Sequence, residues 1–537
     1  MSEVRKILMR APASPFLNPT AFEGITQNLI SSNSGNLVFP SSVSRALMRE
    51  GVEIDYTKAN RKLTEEDVDR INSSYDCFVI PLANMFRGDP SGMSTMPILT
   101  DTVRRLKIPC YIVGVGVQLE LGDDIHEHHR FDEPSRELIR AVLEKSPMIA
   151  LRGETTGEYV EHLGFVPEKD FTVTGCPSMY YYGPVLPEVK KLHLSPESRV
   201  NLNCKITLPQ KIHDYMNKVC DEIPDHFYIP QNTYELRFMF QYKMFAFRGP
   251  KNEVRIPAGY PASFEHRLYK ENRVRGFVSL KAWMDFLSQG DLNFGTRIHG
   301  NITAVLSGIP AFIVAPDSRV NELASFHHIA HTTIEELDES KSIFELLDGV
   351  DFEAVHRGHR ERFDHYLDFL HKCSLPTIYD DGTVPETCPF DQRLREIDFR
   401  GPVLPFPYLP VEEQIDALKA WSLDVDDKNE KILALREEKA ALRKEHDQLK
   451  ADRDRLRRDK IQLLDDKERL RKVRDEKTEK ILALREKNRD LRNERKALKK
   501  ELADFKREYR VARALKHPVK TLKNIVSGRQ GKGGGEN

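Results

Sequence analysis

DLNFGTRIHGNITAVLSGIPAFIVAPDSR, residues 291–319, reads as the end of a strand, a tight Gly turn, a short helix, a Gly-Ile-Pro turn, a second strand and a polar turn that opens another helix. A strand, a crossover helix and a strand make the unit of a parallel α/β sheet. Arg297 and His299 fall in the turn or the first helical turn, where free backbone N–H groups and the helix dipole favour an anion. Arg offers a planar, permanently charged fork that suits carboxylate or phosphate, and His can give or take a proton near neutrality. Together they describe a site for an anionic substrate undergoing proton transfer. On residue types alone, a surface ion pair for Arg297 and a satisfied core hydrogen bond for His299 fit at least as well.

Working outward, short apolar runs alternate with amphipathic helical patterns from about residue 22 to 345. Strands are expected at CFVIPL (77–82), CYIVGVG (110–116), MIALR (148–152), FTVTG (171–175) and AFIVA (311–315). Ligands of open α/β sheets bind beyond the carboxyl ends of the strands, so the polar strand ends are the places to search. Arg152 stands at one such end, and Gly175, Cys176 and Ser178 follow another. Ahead of a helix-like run, Asn33, Ser34, Gly35 and Asn36 form a small-residue turn able to present backbone donors to phosphate.

With 537 residues the chain exceeds the roughly 250–300 at which one core stops growing. Five segments are expected: an N-terminal Rossmann-like domain at 22–190, a second at 195–345 carrying the Arg-x-His motif, and a helical, Pro-rich crossing segment at 346–426. A coiled coil at 427–510 and a basic amphipathic tail at 511–537 follow. The near-neutral balance of 82 basic and 83 acidic side chains hides an asymmetry, because residues from Asp427 onward hold 36 Lys and Arg against 22 Asp and Glu. The acidic body argues against a nucleic-acid partner. The seven scattered cysteines show no CxxC pair and no zinc spacing, and DIHEHHRFDE (124–133) suits a polar loop better than a metal cluster. Neither a signal peptide nor a run of about 18 apolar residues stands out, which points to the reducing cytoplasm.

In the C-terminal part Leu435, Leu442, Leu449, Leu456, Leu463, Leu470, Leu484, Leu491 and Leu498 share one seven-residue register. Most companion positions are basic or polar, among them Lys439, Arg453, Lys460 and Arg474, so a weak parallel homodimer and a solitary charged helix both remain open. The octapeptide EKILALRE occurs at 430–437 and again at 479–486, in the same register, as duplication would leave it. After the heptads, Arg513, Lys516, Lys520 and Lys523 alternate with Leu515, Val519, Leu522 and Ile525. That pattern suits a short helix lying on an anionic membrane surface at the inner face.

The order of these parts resembles the polysaccharide pyruvyl transferase family over roughly residues 22–330. The Arg297-Ile298-His299 motif precedes a helix and Gly308-Ile309-Pro310, and Asp317, Ser318 and Arg319 follow the next strand. The entry turn Asn33 to Asn36, the strand opening at Tyr75-Asp76, the GVGVQ turn (114–118), Arg152 and the GCPS turn (175–178) stand in the family's order. PLANMFRGD (81–89) replaces a Gly-rich turn of many relatives, so Asn84 is expected to stand in for a backbone cradle. The resemblance implies an α/β fold of two Rossmann-like domains facing a cleft, GT-B-like, followed by the long C-terminal coiled coil. It further implies transfer of the pyruvyl group of phosphoenolpyruvate to sugar hydroxyls of a cell-surface polysaccharide or its lipid-linked precursor, forming a ketal, with no cofactor and no metal. His299 is then the acid/base, Arg297 the anion clamp and Asp317 an orienting or second acid/base group. Asn33, Ser34, Gly35, Asn36, Asn84, Arg152 and Arg319 are the expected substrate contacts. A glycosyltransferase using a nucleotide sugar and a non-catalytic assembly protein are the alternatives on the same fold.

Overall fold

Near the amino terminus Ile7, Leu8 and Met9 are all buried, which requires cover on both faces and makes β1 (Arg5–Arg10) an interior strand. It pairs in parallel with β2 (Val52–Thr57) on one side and β3 (Cys77–Pro81) on the other, and β4 (Cys110–Val113) completes the sheet in the order β2-β1-β3-β4. A parallel pair, β5 (Ile149–Leu151) and β6 (Phe171–Val173), continues from it through a bridge between Val115 and Leu151. The computed structural model that shows this describes residues 4–119, 123–241 and 256–516.

The second half builds β7 (Val200–Asn203), β8 (His226–Tyr228), β9 (Leu292–Gly295), β10 (Ala311–Ala315) and β11 (His331–Thr333) into one parallel sheet, in the order β11-β10-β9-β7-β8. The two halves therefore repeat one plan. In each, the first strand lies between the second and the third, so the winding reverses there, between β1 and β3 and between β7 and β9. A crevice opens at the carboxyl ends beside such a reversal. This is the layout of two Rossmann-like halves facing a cleft, GT-B-like.

The halves are not cut cleanly along the sequence. The strand Arg5–Arg10 lies ahead of the expected 22–190 range yet sits inside the first sheet. Ile25 and Ile30, which lie inside that range, pack instead with Val200, Phe294 and Leu236 in the core of the second half. Residues after the second sheet return to the first half, where the helix His359–Lys372 sets Tyr366 against Tyr180 at 4.9 Å between ring centroids. All seven cysteines are buried and free.

The chain divides into two compact units, Met1–Asp426 and Asp427–Asn537. A single helix, Val411–Lys516, begins in the first and carries all the described residues of the second. Its heptad leucines are 54–69% exposed in the single chain, whereas core leucines of the first unit such as Leu47, Leu82 and Leu306 are buried. Among the described residues no helix is long and apolar enough to cross a membrane, and no group of three or more His, Cys, Asp or Glu is arranged to hold a metal ion. The basic tail read from residue 511 lies outside the described residues beyond Lys516.

Candidate functional site

The second sheet's reversal point places β7 and β9 side by side, with Asn203 paired to Gly295 in register. Asn203 and Asn301 lock the turn that follows. The Arg297 N–H donates to Asn203 Oδ1 at 2.8 Å, and Asn301 Nδ2 donates to the Arg297 carbonyl at 3.0 Å. This fixes Arg297 as the N-cap of the helix Ile298–Leu306 and puts His299 in its first turn.

The Arg297 guanidinium donates to Asn232 Oδ1 at 3.3 Å and meets Glu235 Oε2 at 3.4 Å. Burial works against its charge, but Glu235 outweighs that and holds its pKa above the usual guanidinium value. Glu235 is itself committed: its oxygens also accept from the Asn232 N–H at 2.9 Å and from the hydroxyls of Tyr228, at 3.1 Å, and Tyr260. Sequence reading missed it. The only local signal was the Asn232-x-x-Glu235 spacing of a helix start, which says nothing of Arg297, 62 residues away.

His299 is 8% exposed, with Nε2 3.9 Å from Cys176 Sγ and its ring 5.5 Å from that of Phe39. Burial, reinforced by the Arg152 and Arg319 charges, pushes its pKa well below the ordinary imidazole value, so it is neutral at pH 7 in the free protein. The Asn33–Asn36 turn lies directly on it. Asn33 Oδ1 accepts from the Gly35 N–H at 2.8 Å, and a Cβ on Gly35 would fall 2.8 Å from His299 Cβ. Only Gly allows that approach. Within the turn Asn33 and Asn36 line the cleft, whereas Ser34 is buried and donates to the Phe277 carbonyl at 2.8 Å, tying the turn to the second half.

After the neighbouring strand β10, Asp317 caps the helix Ser318–Phe326 by accepting from the Val320 N–H at 3.0 Å, and its other oxygen meets Arg319 at 3.3 Å. Both oxygens thus have partners other than His299. Arg319 keeps a buried Nε with no hydrogen-bond partner. Asn84 lines the cleft and bonds the Gln118 side chain.

Arg152, expected as a substrate contact, is fully buried beneath the cleft and donates to the carbonyls of Gly114 and Leu82, with its guanidinium 5.3 Å from the Phe39 ring. From there it acts on His299 through its charge. Glu322 of the second half reaches the first and accepts from the Thr156 N–H at 2.8 Å. Burial raises its pKa to about 7.

Asn33, Asn84, Arg297, His299, Asp317 and Arg319 line a cleft of about 590 Å³ between the two halves. One wall carries a neutral imidazole, and two guanidinium groups flank it with their carboxylates behind them. The arrangement can bind a small anion and take up a proton beside it.

The family described as polysaccharide pyruvyl transferase matches residues 33–318. No curated protein matches the chain. Among solved structures, a functionally uncharacterised protein from Klebsiella pneumoniae is 12% identical, covers 62% of this chain and 93% of its own, and has a TM-score of 0.33. The S. aureus MnaA–UDP co-structure gives 11%, 70%, 93% and 0.33, and Acinetobacter baumannii MurG gives 9%, 68%, 99% and 0.28. At this degree of likeness nothing about activity carries over.

Proposed function

Because the chain belongs to the polysaccharide pyruvyl transferase family, we propose that it transfers the pyruvyl group of phosphoenolpyruvate to two hydroxyls of a sugar in a cell-surface polysaccharide or its precursor. The observation that carries the reading is the meeting of a neutral His299 with Arg297 and Arg319 in one cleft.

One sugar oxygen adds to the central carbon of the enol phosphate while the methylene carbon gains a proton and becomes methyl. A second sugar oxygen then displaces phosphate from the same carbon, closing the ketal. Two hydroxyl protons are lost; one ends on the methyl group and the other on phosphate. Arg297 and Arg319 hold the phosphate and carboxylate and offset the charge that builds on the departing group. His299, neutral before the donor binds, first takes a hydroxyl proton. The anion beside it then stabilises the imidazolium, which can return that proton. Glu235 and Asp317 position the two guanidinium groups, and Gly35 lets the entry turn close over the imidazole.

The exposed heptad leucines of Val411–Lys516 favour a homodimer held by that helix, since a single chain leaves the stripe in water. For the donor, the test is thermal shift of the full chain with phosphoenolpyruvate against a panel of nucleotide sugars. The reading expects a rise with phosphoenolpyruvate that Arg297→Gln abolishes. A rise with a nucleotide sugar alone would replace it with glycosyl transfer.

A further inference from the structure

The first sheet has its own reversal point, between β1 and β3, and beside it, at the carboxyl ends of β1 and β2, stand two cations that the donor site leaves unused. Arg10 ends β1 beside Thr57, its register partner at the end of β2, and Lys58 is the next residue along. Both side chains line the cleft that holds His299.

What sets them apart is the absence of a counter-charge. Arg87 has Asp89 at 3.0 Å, Arg297 has Glu235 at 3.4 Å and Arg319 has Asp317 at 3.3 Å. Among the described residues Arg10 has no carboxylate and no side-chain hydrogen bond, and its Nε is buried without a partner. Among the same residues Lys58 Nζ donates only to neutral carbonyls, those of Gln27 at 2.9 Å and Asn28 at 3.3 Å. Burial pulls the Arg10 pKa down to about 10, which still leaves it charged at neutral pH. Arg10 is half-buried at the cleft wall, and a partly desolvated cation without a partner is unfavourable, a cost that a ligand anion would offset.

The space extends in the same direction. A second pocket, of about 450 Å³, shares Ala11, Pro12 and Lys58 with the cleft and continues between Leu29, Ile54 and Tyr56. Pockets of roughly 300–1,000 Å³ hold drug-sized ligands, so a three-carbon phosphoester on Arg297 leaves most of this room unfilled.

We infer that Arg10 and Lys58 form a second anion subsite, which binds a phosphate or carboxylate group carried by the acceptor glycan, with the rest of that glycan running out through the pocket beyond Lys58. The identity of the donor rests on the pyruvyl-transfer reading; the subsite itself does not. Each half of the molecule then uses its own reversal point, the second for the donor and the first for an anionic acceptor.

The test is calorimetry on the full chain. With phosphoenolpyruvate saturating, inorganic pyrophosphate and, separately, glucuronate are titrated into the wild type, Arg10→Gln, Lys58→Gln and Arg297→Gln. At least one of the two probes binds the wild type. Arg10→Gln and Lys58→Gln each weaken that binding roughly 10-fold or more, as loss of a charged hydrogen bond does, and leave the phosphoenolpyruvate affinity within about 2-fold. Preference for pyrophosphate marks a phosphate-linked acceptor, and preference for glucuronate marks an acidic sugar. Arg10→Lys, which keeps the charge, retains binding and separates loss of the subsite from loss of the fold. Failure of both probes to bind the wild type overturns the inference, as does equal loss of phosphoenolpyruvate and probe in Arg10→Gln. If phosphoenolpyruvate itself does not bind, the donor reading fails alone. Pyrophosphate titrated without it then decides the subsite, which stands if Arg10→Gln binds more weakly and falls if it does not.

Discussion

Gly35→Ala adds a single methyl group, and its effect can be worked out from the site. The new Cβ would lie 2.8 Å from His299 Cβ, 2.9 Å from Asn33 Oδ1 and 3.0 Å from His299 Nδ1, where ordinary contact begins at 3.4 Å. Something must give by about 0.6 Å, the difference between 3.4 and 2.8 Å. His299 Cβ is bonded to the first turn of Ile298–Leu306, so the displacement moves the imidazole or the Asn33 turn rather than the tip of a flexible chain. A misplacement of about 1 Å can lower turnover by ~10²-fold, so roughly 10- to 10²-fold is expected here, with ~1–3 kcal/mol lost to overpacking. The assay is phosphate release from phosphoenolpyruvate with a surface-glycan extract as acceptor, alongside donor binding by thermal shift. Turnover should fall well beyond any loss of donor affinity. Wild-type turnover in a folded Gly35→Ala protein would refute the claim that this turn sets the position of the imidazole.

Glu235→Ala leaves Arg297 buried without its carboxylate and should destabilise the protein by about 3–5 kcal/mol; an unchanged melting temperature would show that the pair is not the anchor described. Burial lowers the pKa of His213, His226, His266, His299, His327 and His359. The unfolded chain therefore takes up protons first as pH drops through about 6.5, and stability should decline from there toward about pH 4, where His359 titrates in the folded state. Glu322, with its folded pKa raised to about 7, works the other way and offsets part of the loss. A melting temperature that stays level between about pH 8 and 5 would contradict this. Leu456→Asp combined with Leu463→Asp places charge in the exposed heptad stripe and should convert a dimer to monomer in sedimentation of the full chain; a dimer that persists would place the contact elsewhere.

Where a strand is a plain apolar run, the sequence announces it: AFIVA became β10, Ala311–Ala315, without shift of either end. β1 escaped notice because only Ile7, Leu8 and Met9 are apolar between charged ends, and nothing local says that both faces are covered. With β1 and β2 unread, Arg10 and Lys58 could not be placed at a sheet edge. The Arg297–His299 pair was legible because strand, turn and helix are contiguous there. Glu235 was not, because it reaches Arg297 from a segment set by tertiary packing, and Gly35, read as a phosphate contact, gave no local sign that it packs on His299. Arg152 shows the opposite failure. A strand-end position suggested access to ligand, yet its side chain turns inward to backbone carbonyls.

The most direct measurement of the central claim is mass spectrometry of surface glycan incubated with the full chain and isotope-labelled phosphoenolpyruvate, with phosphate followed in parallel. The expected outcome is a labelled pyruvyl ketal on the glycan, phosphate released in equal amount, and neither product from His299→Ala. An unlabelled glycan, with the label left in phosphoenolpyruvate or recovered as free pyruvate, would contradict it.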